Sequence, residues 1–212
     1  KIHQYDKFGW TSSYGWRDYT DYALVKFNIN DDQILNQIGT WIVSSDAIID
    51  IEIYNDFDGT SLNNLLNVIN NQSCSLPGYY TFELDSSLEL YSGDIIYIKI
   101  KYYTPSYEYP IPIETKIDEY ANPDIQKGVF WVSDEGDYWY ELGNNITDGM
   151  FDPCIKLYGE VDVRIETTFP IWNDNFDLDN NWEYDSGWEL TNSSYSSQPY
   201  SFLSSNDSDN FD

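Results

Sequence analysis

The side chains able to act as bases or nucleophiles are few and far apart. The chain has one histidine, His3, and two cysteines, Cys74 and Cys154. A Cys–His nucleophile needs its base within hydrogen-bond reach and an oxyanion hole beside it. Cys74 lies in Ser-Cys-Ser and Cys154 in Pro-Cys-Ile, and neither setting supplies those parts. No glycine-rich phosphate loop and no zinc-type spacing of His and Cys is present. Carboxylates are so abundant that a glycosidase-like pair would arise by chance. The sequence reads as non-catalytic.

Binding chemistry is better represented. Asp56 and Asp58 in Asp56-Phe57-Asp58-Gly59, Asp134 and Asp137 in Asp134-Glu135-Gly136-Asp137, and Asp174 with Asp177 each cluster oxygens as a hard cation prefers, although none follows the full EF-hand pattern. Calcium is the expected ion, and solvated acidic turns are the alternative. Tyr103, Tyr107 and Tyr109 surround a proline-rich exit, and Trp131 and Trp139 flank an acidic turn. Aromatic faces beside Asn and Asp suit the stacking and hydrogen bonding of sugar rings. The same rings would also fill the end of a β-sandwich.

Composition limits the partners. Ten Lys and Arg stand against 37 Asp and Glu, a formal charge of −27. No basic patch could neutralise nucleic-acid phosphates, and anionic membrane surfaces are disfavoured for the same reason. No apolar run reaches membrane-span length, so direct membrane insertion is not expected. The chain starts at Lys1 without a signal-peptide pattern and reads as a processed piece of an exported protein. Cys74 and Cys154 could form one disulfide in that setting, and the sequence leaves open whether they meet. Asn71, Asn145, Asn192 and Asn206 fit the glycosylation acceptor pattern, a weak signal in so Asn- and Ser-rich a chain.

The elements that would carry these residues are strands. In Tyr91–Glu114, Ile96, Ile98 and Ile100 alternate with Tyr97, Lys99 and Lys101, as in a strand with one buried face. Pro105, Pro110 and Pro112 then hold the chain in an extended, edge-like form. Residues 23–29, 33–43, 47–54 and 78–84 are further strands, and 129–133 with 138–142 form a hairpin. In 47–54, Ile49, Ile51 and Ile53 share one face. Residues 61–69 are spaced as a helical turn or a loop under the sheet. A closing strand covers 154–158, and 161–165 continues it as a linker or a further strand. Residues 1–22 are a turn-rich lead-in carrying Trp10 and Trp16, 23–165 a β-sandwich, and 166–212 a linker plus partial second β module. The expected fold is all-β, a jelly-roll-like antiparallel sandwich, followed by the start of a second module or a strand-donating C-terminal segment.

Several stretches together resemble the lectin-like domain that follows the catalytic domain in secreted papain-type cysteine peptidases of bacteria and archaea. They are QYDKFGWTSSYGW at 4–16, DIEIYND at 50–56, PGYYTFELDSSLELYSGDIIYIKIKY at 77–102, YPIPIE at 109–114, VFWVSDEGDYWYEL at 129–142 and CIKLYGEV at 154–161. The resemblance implies an exported jelly-roll module, attached to a peptidase or adhesin, with a carbohydrate- or surface-binding role. The peptidase domain is absent, so no catalytic residue carries over. Residues 172–212, through FDLDNNWEYDSGWELTNSSYSSQPYSF, resemble the opening of jelly-roll modules of the MAM and immune-inhibitor-A type, which implies calcium near the first strand. The sequence thus points to a cell-surface module binding glycan or surface protein. Self-association through the C-terminal strands, building a filament or layer, and a pure spacer role remain as alternatives.

Overall fold

The computed structural model describes residues 1–143, 151–161, 188–191 and 201–204. Strands in chain order are β1 (Ile2–His3), β2 (Ser12–Tyr14), β3 (Thr20–Asn28), β4 (Gln33–Ile42), β5 (Ala47–Phe57), β6 (Leu62–Cys74), β7 (Gly78–Leu90) and β8 (Ile95–Tyr103). β9 (Ile111–Thr115), β10 (Phe130–Ser133), β11 (Tyr140–Leu142), β12 (Phe151–Pro153) and β13 (Ile155–Val161) follow. β14 (Trp188–Thr191) pairs antiparallel with β15 (Ser201–Ser204) in a separate unit spanning Val163–Asp212. Among the described residues there is no helix.

The first unit, Lys1–Asp162, holds a four-stranded sheet of order β1-β13-β4-β7, a six-stranded sheet of order β11-β10-β3-β8-β5-β6 and a three-stranded sheet of order β12-β9-β2. The pairings are antiparallel. Period-two alternation builds the core. Ile96, Ile98 and Ile100 of β8 and Ile49, Ile51 and Ile53 of β5 all point inward and are essentially inaccessible. They meet Leu35, Ile38 and Ile42 of β4, Phe82 of β7 and Leu157 of β13 from the four-stranded sheet. The all-β sandwich read from the sequence is the fold observed. β8 sits inside the six-stranded sheet between β3 and β5, as its unbroken apolar face requires.

One buried polar link ties the two large sheets. Thr40 Oγ1 lies 2.7 Å from the Tyr102 hydroxyl and donates to the Cys154 carbonyl at 3.0 Å. Burial pushes the Tyr102 phenol well above its usual range, so it stays a neutral hydrogen-bonding group.

Three sequence expectations are corrected. Residues 62–69 belong to strand β6 rather than to a helical turn or loop. Two register shifts against β5 fall at Leu66 and at Asn70 and Asn71, which together face Asp50, with Asn71 at positive φ (55°). Each extra residue resets the inside–outside alternation, which hides the strand period in LNNLLNVI. Pro112 lies in β9, the middle strand of the three-stranded sheet, rather than on an edge. The β12 ladder ends at Pro153–Ile113, so Pro112 has a ladder partner only in Ser13 of β2. Finally, Cys74 and Cys154 are free, buried thiols. Cys74 ends β6 opposite Ala47, whereas Cys154 precedes β13 in the opposite sheet.

Candidate functional site

An aromatic-walled groove of about 590 Å³ is lined by Tyr14, Trp16, Trp139, Tyr140, Glu141 and Leu142. Two sheet edges form it. Tyr14 ends β2, the outer strand of the three-stranded sheet, and Trp16 follows it. Tyr140, Glu141 and Leu142 are β11, the outer strand of the six-stranded sheet. The rings pack on one another along the groove. Tyr14 and Trp16 meet edge to face at 5.3 Å, Trp16 and Tyr140 are tilted at 5.9 Å, and Tyr138 meets Tyr140 at 4.9 Å. Tyr138 and Tyr140 are well exposed. The volume falls within the roughly 300–1,000 Å³ typical of small-ligand pockets.

A buried carboxyl sets the position of the Trp16 wall. Asp21, on β3, is inaccessible, and its Oδ2 accepts the Trp16 N–H at 3.3 Å. Burial, reinforced by the charges of Asp18 and Asp134, pushes Asp21 up to about 7. Gly15 lies so close that a Cβ there would come within 2.4 Å of Asp21 Oδ2 and 2.8 Å of Pro110 Cδ. Beside it, Arg17 Nε donates to the Tyr109 hydroxyl at 3.1 Å. Segment 15–17 thus presents Trp16 to the groove while its neighbours grip the loop after β8.

That loop carries the sequence-predicted tyrosines. Tyr107 and Tyr109 meet edge to face at 5.9 Å, and the Thr104 hydroxyl donates to the Tyr107 carbonyl at 2.6 Å, closing a tight turn. Tyr103 and Tyr107 are partly exposed, and Tyr109 is half-buried. Trp131 and Trp139 do not join them. Both pack on the outer face of the six-stranded sheet around Phe57, at 5.4 Å and 6.4 Å, with Tyr97 completing the cluster. Trp139 is only 8% exposed, and it reaches from this cluster to the groove wall. The acidic turn after β10 folds back here. Gly136, at φ +84°, lies against the Tyr22 ring, where a Cβ would come within 2.9 Å of ring carbon.

The acidic turn at 56–59 is internally hydrogen-bonded. Asp58 Oδ1 accepts the N–H groups of Thr60 and Ser61 at 2.8 and 2.7 Å, which holds its carboxyl below the usual range. Asp56 accepts from the Asn63 amide at 3.2 Å. Gly136 N–H, in the turn that carries Asp134 and Asp137, donates to Ser133 Oγ at 2.8 Å. Among the described residues no three His, Cys, Asp or Glu side chains converge as a metal would require. Asp174, Asp177, Asn145, Asn192 and Asn206 lie outside the described residues. Asn71 is exposed, and its backbone N–H donates to Asp50 at 2.7 Å.

Sequence reasoning missed a set of buried acids where the chain start meets the three-stranded sheet. Asp6, Glu114 and Asp152 are inaccessible. Asp6 pairs with Lys156 at 3.0 Å, Glu114 accepts the N–H groups of Lys7 and Phe8, and Asp152 accepts the Gln126 N–H at 2.9 Å. Burial pushes Asp6 up to about 6 and Asp152 up to about 7. With 37 acids in the chain, nothing in the sequence marks these three.

The fold has solved counterparts. A clostridial cysteine protease, Cwp84, after propeptide cleavage superposes with a TM-score of 0.57 at 16% identity, covering 74% of this chain and 39% of that one. A structure of the cysteine protease and lectin-like domains of Cwp84, a surface layer associated protein of Clostridium difficile, gives 0.55 at 16% identity, covering 74% and 35%. This chain therefore spans little more than a third of the proteins it resembles in fold. Among curated protein sequences none matches it. The sequence profile of the family described as lectin like domain matches residues 2–159, three-quarters of the chain, and the chain belongs to that family.

Proposed function

We propose that this chain is a non-catalytic accessory module that binds glycans at a cell surface through the groove between Trp16 and Tyr140, as part of a larger exported protein. The observation that carries the reading is the groove itself: tilted aromatic rings on two facing strand edges, with polar atoms at its rim. Sugar rings offer C–H faces to such walls and hydroxyls to such rims. Membership of a lectin-like family and the surface-layer association named for Cwp84 support the same reading. The lone His3, which bonds Gln33 across to β4, and two buried thiols supply no catalytic pair.

Saturable binding of the purified chain to wall polysaccharides or to members of a glycan panel is expected. Trp16→Ala and Tyr140→Ala should abolish it. Tyr107→Ala probes the neighbouring loop, and parallel titrations with calcium and with a chelator reveal any ion in the site. Absence of saturable binding across the panel in both conditions would overturn the proposal.

A further inference from the structure

We propose a second sugar-binding site, for neutral glycans, on the outer face of the four-stranded sheet. It rests on the glycan-binding reading for its ligand class but shares no residue with the groove between Trp16 and Tyr140. Strand alternation defines the face. Ile38 and Ile42 of β4, Phe82 of β7 and Leu157 of β13 belong to the core, so Trp41, Tyr79, Lys156 and Tyr158 stand on the other side. The register agrees: Trp41 is directly opposite Tyr79, and Gly39 directly opposite Lys156.

Gly39 marks the place. A glycine inside a strand weakens it and signals that another group comes close. Here two rings do: a Cβ would collide with the Tyr79 hydroxyl and come within 2.8 Å of Tyr158 Cε2. Tyr79 and Tyr158 thus lean over the central strand from its two neighbours, and their hydroxyls meet at 2.6 Å. Trp41 meets Tyr79 edge to face at 5.4 Å and Trp10 at 6.3 Å. Trp41, Tyr79 and Tyr158 all stay half-buried. Segment 4–9 forms the opposite wall. Lys156 anchors it through Asp6 at 3.0 Å and Gln4 Oε1 at 2.8 Å, and Gly9 packs on the Trp41 indole. The groove so formed measures about 310 Å³, and Gln4, Lys7 and Phe8 on its rim are exposed.

The lining selects the ligand. It holds four aromatic rings and no aliphatic side chain. Such a surface suits the C–H face of a sugar, while Lys7 and Gln4 offer N–H donors to its hydroxyls. Charge is balanced: Asp6 pairs with Lys156, and Glu114, whose carboxylate accepts the Lys7 N–H, offsets Lys7. With no surplus of either sign, the fitting ligand is neutral.

The test is equilibrium dialysis of the full chain against tetramers of N-acetylglucosamine, glucose and mannose, counting the equivalents bound. The wild type is expected to bind two equivalents of at least one probe. Trp16→Ala and Trp41→Ala should each leave one, and the double variant none. Trp41 also packs on Gly9 and Trp10, so thermal melts accompany that variant. Phe8→Ala, at an exposed position, should weaken the second equivalent about two- to tenfold without moving the melt. One equivalent in the wild type, unchanged in Trp41→Ala and Phe8→Ala, overturns the inference and leaves the first groove standing. One equivalent lost in Trp41→Ala and kept in Trp16→Ala refutes the earlier proposal instead. No binding of any probe refutes both; if the chain then self-associates and Phe8→Ala stops it, the face is a contact between copies.

Discussion

Replacing Asp21 by Asn should make the domain more stable at alkaline pH and leave it nearly unchanged at acid pH. Asp21 is inaccessible, and only its Oδ2 has a donor, the Trp16 N–H. Burial first, then the charges of Asp18 and Asp134, raise its carboxyl from the usual 3.8 to about 7. A raised carboxyl means that the folded chain holds a proton the unfolded chain has already released. Between about pH 4 and 7 stability therefore falls as pH rises, and above that window the loss is complete. With about 1.36 kcal/mol per pH unit, the interval from 3.8 to about 7 corresponds to about 4 kcal/mol at most. Relaxation of the loop around 15–18 and water entry reduce this, so about 2–4 kcal/mol is expected. Asn has nearly the shape of the protonated acid and can keep the Trp16 bond, so the two proteins should agree within about 1 kcal/mol at pH 5. At pH 8 the variant should melt about 4–15 °C higher, since each kcal/mol moves the midpoint by about 2–4 °C at this size. Asp6 and Asp152, also raised by burial, will slope both curves alike. The readout is therefore the difference between wild type and variant in thermal melts at pH 5, 6, 7 and 8. Two parallel curves would show that Asp21 ionises freely in the folded chain and would refute the argument.

Three further outcomes follow from the same geometry. Gly15→Ala would force a Cβ to within 2.4 Å of Asp21 Oδ2 and 3.0 Å of the Tyr109 backbone, so a loss of about 1–3 kcal/mol is expected in urea titrations, with weaker glycan binding as the Trp16 wall moves. Phe57→Ala removes the ring at the centre of the Tyr97, Trp131 and Trp139 cluster; because Phe57 is half-buried, a cost of about 2 kcal/mol is expected, below the roughly 3–5 of a fully buried ring. Cys74 and Cys154, whose thiols burial raises, should resist a thiol-reactive chromophore in the native protein and both react in denaturant, and a reductant should leave the melting temperature unchanged.

The sequence disclosed what repeats locally and concealed what depends on distant pairing. Ile96, Ile98 and Ile100 announce their face because nothing interrupts the two-residue period of β8, and Ile49, Ile51 and Ile53 do the same for β5. β6 stayed hidden because Leu66, and then Asn70 with Asn71 opposite the single Asp50, add residues that pairing with β5 absorbs as shifts in register. In the groove, residues 14 and 16 meet residues 139–142, more than 120 positions away, through strand edges whose adjacency no local pattern encodes. The nearest available signal was the density of rings in Tyr14-Gly15-Trp16 and Tyr138-Trp139-Tyr140, and of those only Trp139 stood among the expected ligand-binding residues. Conversely, Trp131 and Trp139 were legible as aromatic but not as partners of Phe57, since a ring that stacks on sugar and a ring that packs on a sheet obey the same composition rule. What separates them is exposure: Tyr138 and Tyr140 are open to solvent, whereas Trp139 is covered almost completely by its neighbours. The carboxylates divide the same way. Asp58 is held by backbone donors at a turn and Asp21 is buried beneath Trp16; identical chemistry thus serves a cap and a titrating support according to the water each can reach.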